Sequence, residues 1–148
     1  MPLPVPSGAS LPVGDAGRPL VSPIPADFRA RFAKLNLARF LTRGHLYQRF
    51  AVDLYANDAG KEAYLGKVAE AAPGAMIVKE HFASSIAGDG RGPLMAMEKQ
   101  PKGFDPEGGD WRYLVVTARG EVVLDGKAER CGGCHHEAPR DHLFPAAE

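Results

Sequence analysis

Apolar positions recur along this chain with two different periods. Between Ala26 and Thr42, Phe28, Phe32 and Leu35 fall at helical spacing, and Leu37, Phe40 and Leu41 continue that surface. Arg29, Arg31, Lys34 and Arg39 fall between them. The spacing predicts an amphipathic helix over 26–42, with Asp27 in its first turn and Gly44 as its stop. The period then drops to two. Phe50, Val52 and Leu54 alternate with Ala51, Asp53 and Tyr55, which predicts a half-buried strand. Asn57 or Asp58 then caps a short predicted helix running through Glu70 and ended near Pro73-Gly74. Ala75–Phe82, Leu94–Lys99, Trp111–Thr117 and Glu121–Leu124 read as further strands. The last two are joined by Ala118-Arg119-Gly120, a hairpin signal. Ala87–Pro93 and Pro101–Asp110 read as turn-rich loops. No helices separate the late strands to act as crossovers. The pattern therefore predicts an α+β fold, a mostly antiparallel sheet with an N-terminal helix and a short second helix.

Composition adds boundaries to this picture. The chain has 148 residues and is 45% hydrophobic, enough for one domain with its own core. Seven of the 13 prolines lie before residue 26, so 1–25 reads as an extended linker or arm and 26–148 as the folded domain. The 18 basic and 18 acidic side chains cancel, and a neutral chain lacks the basic surface that nucleic acid demands. No apolar run is long enough to span a membrane. No positively charged start followed by an apolar run marks a secretory leader within these residues.

The chain has 2 cysteines, and they dominate the chemistry. Cys131-Gly132-Gly133-Cys134-His135 is the attachment pattern of haem c. Each thiol adds across one haem vinyl group, and the two-residue gap matches the separation of the vinyls. The next residue, His135, then lies under the iron as its axial ligand. Three other readings compete with this one. Tetrahedral zinc needs four ligands, and the adjacent Cys134 and His135 diverge from a common ion. A thioredoxin-like redox pair belongs after an early strand, whereas this pair follows a late hairpin. A disulfide across so small a loop contributes little closure entropy.

The residues around the motif carry a resemblance. Lys99, Gly103-Phe104-Asp105-Pro106, Gly109-Asp110-Trp111-Arg112-Tyr113-Leu114, Gly126, Cys131–His135 and Asp141-His142-Leu143-Phe144 follow in order. Gly44-His45, Tyr55-Ala56-Asn57 and Val78-Lys79-Glu80 precede them. Over roughly residues 35–145 this resembles the cytochrome P460 and cytochrome c′-beta family. The cysteine motif alone is common among c-type cytochromes. Its combination with a tryptophan-led strand and a trailing Asp-x-x-Phe is more specific. The resemblance implies a β-rich fold, a homodimer, one covalently bound haem c per chain, high-spin iron held by His135 alone, and export to the periplasm. It also implies a small nitrogen-containing ligand or substrate and a redox partner cytochrome. Cytochrome P460 members oxidise hydroxylamine and carry a lysine bonded to the porphyrin. Cytochrome c′-beta members lack that bond and bind nitric oxide. Lys79 is the position matched to the family's strand lysine, and a surface ion pair is the alternative reading.

Other side chains are weighed against structural roles. Glu80 and Asp110 are the carboxylates set nearest a distal pocket, with Glu80 as candidate base, although surface exposure is the commoner state of a carboxylate. His45, His81, Met76, Met95 and Met97 are candidate sixth ligands, against core roles for each, and a sixth ligand would make the chain an electron carrier. Phe50, Phe82 and Phe104 are candidates for an apolar distal wall, and Trp111 for the core beside the haem. His136 is read as surface or a propionate partner, and Arg112 or Arg140 as propionate partners. Asp141 and Phe144 are expected to lock the tail over the haem, a structural role.

Overall fold

The computed structural model describes residues 22–41, 50–83, 90–128, 131–132, 135, 138 and 141–143. Among these residues, seven strands form one antiparallel sheet. They are β1 (Ala33–Lys34), β2 (Phe40–Leu41), β3 (Phe50–Ala56), β4 (Met76–Ala83), β5 (Arg91–Lys99), β6 (Trp111–Val116) and β7 (Val122–Gly126). Strands β3 to β7 follow one another across the sheet, and β1 and β2 both pair along the outer side of β3. Two short helices accompany them, α1 (Phe28–Arg31) and α2 (Asp58–Tyr64). The antiparallel α+β expectation is met at this level. The two late strands turn at Thr117–Glu121, where Gly120 holds φ +87, a conformation that favours glycine.

Strand β4 is buried on both faces, and its alternation sorts the core into two layers. Ile77 joins Leu54, Met97, Trp111 and Tyr113 on the first face. Met76 and Val78 join Tyr55, Ala96, Leu114 and Val116 on the second. Ile24 and Phe28 cover the second face, with the Phe28 ring edge-on to Tyr55 at 5.2 Å. Helix α2, the turn at 71–75, Ala128, Cys131 and Leu143 cover the first. The proline-rich stretch therefore enters the fold before residue 26, because Ile24 is part of the core.

The helix expected over 26–42 is corrected to a single turn. Phe32 is already extended at φ −89, ψ 150, and the chain continues as β1. Pairing with β3 outweighs the helical spacing: Leu35 N donates to Leu54 O at 2.8 Å, and Leu54 N donates to Asn36 Oδ1 at 2.8 Å. Two of the basic residues between the apolar positions, Lys34 and Arg39, serve a buried carboxylate, while Arg31 stays exposed beside Asp27. Asp53, 2% exposed, accepts from Asn36 at 2.9 Å and Arg39 at 3.0 Å, with Lys34 at 3.5 Å. Burial pushes its carboxyl up, but the Asn36 and Arg39 hydrogen bonds and the Lys34 charge outweigh it and hold the group below its ordinary value.

Helix α2 starts as expected and ends earlier. Asn57 Oδ1 accepts from Gly60 N at 2.9 Å and from Met76 N at 3.0 Å, so one amide caps the helix and ties it to β4. Beyond Tyr64, Gly66 takes φ +73 and the chain leaves the helix. Strand β5 begins at Arg91, inside the stretch expected to be a loop. Pro93 has no N–H for the ladder, and the register between β4 and β5 shifts beside it, between Glu80 and Phe82.

Candidate functional site

Cys131 and His135 lie over the first face of the sheet. Cys131, Gly132 and His135 have helical backbone, and Gly132 N donates to Ala128 O at 2.7 Å. Cys131 packs against the first-face core. The His135 ring meets the Tyr113 ring, centroids 5.7 Å apart and tilted by 50°. A side chain at Gly132 would come no nearer than 3.9 Å to Tyr113, so β6 and this segment are close without being jammed.

One hydrogen bond defines the chemistry of His135. Its Nδ1 lies 2.7 Å from the carbonyl oxygen of His142. A carbonyl only accepts, so Nδ1 carries the proton, and in the neutral ring Nε2 is the basic nitrogen. Burial depresses the His135 pKa, and the Lys79 charge acts in the same direction against the opposing His142 carbonyl bond. The ring is therefore held neutral, in the tautomer whose Nε2 suits a metal.

Lys79 is on the same face. It stands two positions from Ile77 on β4, between Leu54 and Met95 in the neighbouring strands. His81 follows at the same parity and is fully buried. Its Nδ1 donates to Pro93 O at 2.9 Å, and desolvation lowers its pKa to about 4. Lys79, His81, Tyr113, Cys131 and His135 thus form one neighbourhood, with Met95 and Met97 on the same side of β5.

Several expected residues lie elsewhere. Glu80 points to the opposite face, where Arg29 Nε donates to its two oxygens at 2.9 and 3.1 Å and Nη2 adds a third bond. The sheet thickness separates that carboxylate from His135, because adjacent strand residues face opposite ways. Met76 is in the second-face core. Asp110 is committed to its loop, accepting from Gly103 N at 3.2 Å and Asp105 N at 2.8 Å. Arg112 is bound to Asp125 and Glu98 on the second face, which removes it as a propionate partner on the first. Phe82 lies under the Arg39 guanidinium at 3.5 Å, and Phe104 under the Lys127 ammonium at 5.5 Å. Trp111 is fully buried in the first-face core, as expected. Cys134, His45, His136, Arg140, Phe144 and the Phe50 side chain lie outside the described residues.

Sequence reasoning gave no role to Lys99 or His142. Lys99 is 3% exposed, with Nζ 2.9 and 3.2 Å from the Asp141 oxygens. The signal was in the alternation: Met95, Met97 and Lys99 share a parity, so a lysine occupies a core-facing position. Asp141 is tied to Lys99, Ala71 and Trp111, and Phe144, the other residue expected to close the tail over the haem, lies outside the described residues. No helix among the described residues is long and apolar enough to cross a membrane. No protein-family model matches the chain, and no curated protein matches it.

Proposed function

We propose that this chain is a periplasmic monohaem c-type cytochrome whose iron site, with the haem packed against the first face of the sheet, binds or oxidises small nitrogen species such as nitric oxide and hydroxylamine. The observation that supports it most is the state of His135 beside Cys131. In the CxxCH pattern an imidazole must offer one nitrogen to iron while the other is held. Here Nδ1 is committed to the His142 carbonyl at 2.7 Å, so Nε2 is the nitrogen that would meet the metal. The donor set fits haem c: Cys131 and Cys134 supply the thiols and His135 the axial nitrogen. When bound, haem supplies an iron that takes small ligands and exchanges electrons with a partner cytochrome. The homodimer implied by the resemblance belongs to the same reading.

The chain's own residues set the surroundings. Burial and the Lys79 charge keep His135 neutral and so available as a ligand. His81 stays neutral through the physiological range and delivers no proton there. Tyr113 bounds the ring on the sheet side. Lys79 decides between the two activities, since a covalent bond from its amine to the porphyrin belongs to the hydroxylamine enzyme and its absence to reversible ligand capture. Glu80 has no part in either, being paired to Arg29 on the other face.

The test is the absorption spectrum of the full chain exported with the haem c maturation machinery, reduced, with and without carbon monoxide. The expected result is covalent haem and a spectrum that changes with carbon monoxide. A Soret band far to the red that is lost in Lys79→Met identifies the cross-linked enzyme. An ordinary high-spin band unaffected by Lys79→Met identifies ligand capture. A low-spin band unresponsive to carbon monoxide overturns the open site in favour of a sixth ligand from His81 or Met95. No haem band, where a control cytochrome matures, overturns the proposal.

A further inference from the structure

We infer that the Lys99–Asp141 ion pair is a positioning device for the His135 imidazole, acting through the backbone of His142. Its consequence at iron rests on the haem reading, but its geometry does not. Four parts of the fold converge on residues 141–143. Lys99, at the end of β5, donates to both carboxylate oxygens of Asp141. Ala71 N donates to Asp141 Oδ2 at 2.7 Å, and Trp111 Nε1 donates to the Asp141 carbonyl at 2.9 Å. Leu143 is buried in the first-face core. A Cβ on Gly109 would stand 2.6 Å from the His142 ring, so that ring is seated against bare backbone.

The dipeptide so held is in an uncommon conformation. Asp141 has φ 40 and His142 has φ 60, and neither is glycine. Left-handed backbone at such residues is unfavourable by itself and persists where contacts over-determine it. The contacts are the ones just named, and the ion pair is the strongest of them: both charges are largely buried, and Lys99 Nζ also lies 5.0 Å from the Trp111 ring centroid. This conformation aims the His142 carbonyl at His135 Nδ1. When the ion pair is lost, the strained pair relaxes toward ordinary backbone angles and the carbonyl turns away. His135 then loses the acceptor that selects its tautomer and fixes its ring.

At iron, a carbonyl accepting from Nδ1 makes Nε2 a stronger donor and stabilises the oxidised metal. Removing Lys99 should therefore weaken the iron–histidine bond and raise the midpoint potential, although Lys99 itself touches neither ring nor metal.

The test compares Lys99→Met with the wild-type full chain in two readouts. In the chain expressed without haem maturation, nitrogen NMR of the His135 ring should report Nδ1–H in the wild type and a mixture of tautomers in the variant. In the matured chain, the iron–histidine stretching band should fall and the midpoint potential rise. Lys99→Arg, which keeps the charge, should restore both. Arg29→Met, an equivalent loss on the opposite face, should move neither. The proposal is overturned if Lys99→Met folds with wild-type tautomer and stretching band, or if Arg29→Met shifts them equally. Should Lys99→Met fail to fold, Asp141→Asn removes the charge with the same shape and decides by the same readouts. A chain that takes up no haem refutes only the functional reading, and the tautomer measurement still decides this one.

Discussion

Replacing Arg29 with methionine removes the guanidinium from the buried Glu80 and leaves a carboxylate 2% exposed to solvent. Arg29 reaches it from α1 through Nε at 2.9 and 3.1 Å and through Nη2, a forked contact suited to a carboxylate. The same side chain stacks 4.4 Å from the Phe28 ring centroid, contact that methionine largely retains. Breaking one partner of a buried pair costs about 3–5 kcal/mol, because the remaining charge stays desolvated. The Arg29 side chain is 34% exposed, so water reaches one side of the pair and the lower end of that range applies. With a urea slope of about 1.5 kcal/mol per molar, a loss of about 3 kcal/mol lowers the midpoint by about 2 M. Glu80→Gln alone should cost less, and the double variant should cost clearly less than the sum of the singles, giving a coupling of about 2 kcal/mol. Urea titrations of the four proteins at pH 7 measure every term. A cost under about 1 kcal/mol for Arg29→Met with no coupling would refute the reasoning, since it would mean that water solvates Glu80 in the folded state. Under the haem reading, Glu80→Gln should also leave ligand binding unchanged.

Two further outcomes follow from local geometry. The folded protein holds His81 neutral down to about pH 4, whereas the unfolded chain protonates near 6.5. The contribution is complete above pH 6.5 and is lost as pH falls through that window, by about 3 kcal/mol in all. Urea midpoints of wild type and His81→Gln should therefore converge between pH 7 and 4, and parallel profiles would refute the assignment. Gly60→Ala would place a Cβ 2.4 Å from the Met76 carbonyl oxygen and 3.1 Å from Asn57 Oδ1. Alanine usually favours a helix, yet here the variant should lose about 1–3 kcal/mol in a denaturant titration, because the obstacle is strand backbone.

The boundary between pattern and fold is visible in particular residues. Strands β3, β4, β6 and β7 were legible within a few residues, because period-two alternation sorts side chains onto two sheet faces whatever lies beyond them. Capping preference offered Asn57 or Asp58 at the head of α2, and Asn57 is the cap. The pattern failed at 26–42, where Phe28, Phe32 and Leu35 sit at helical spacing but Asp53, far along the chain, draws Asn36, Arg39 and Lys34 to itself. It failed at Arg91–Pro93, where the register shift in the partner strand accommodates a proline. At the site, Cys131, Cys134 and His135 stood out because a two-residue gap followed by histidine is the pattern of haem c attachment, read within one short segment. Glu80 beside Lys79 in sequence is across the sheet from it in space, a separation the alternation itself foretells.

The sequence by itself determined the mostly antiparallel α+β class and most of the strands, and it holds the CxxCH pattern, since each depends on residues close along the chain. Tertiary structure alone decided which face Cys131 and His135 meet, that Lys79 and Tyr113 share it, that the His142 carbonyl accepts from the His135 imidazole, and that Lys99 pairs with Asp141. Those relations join residues from 71 to 142 through single hydrogen bonds and an ion pair. Their energy depends on burial and angle, and neither exists until the chain has closed on itself.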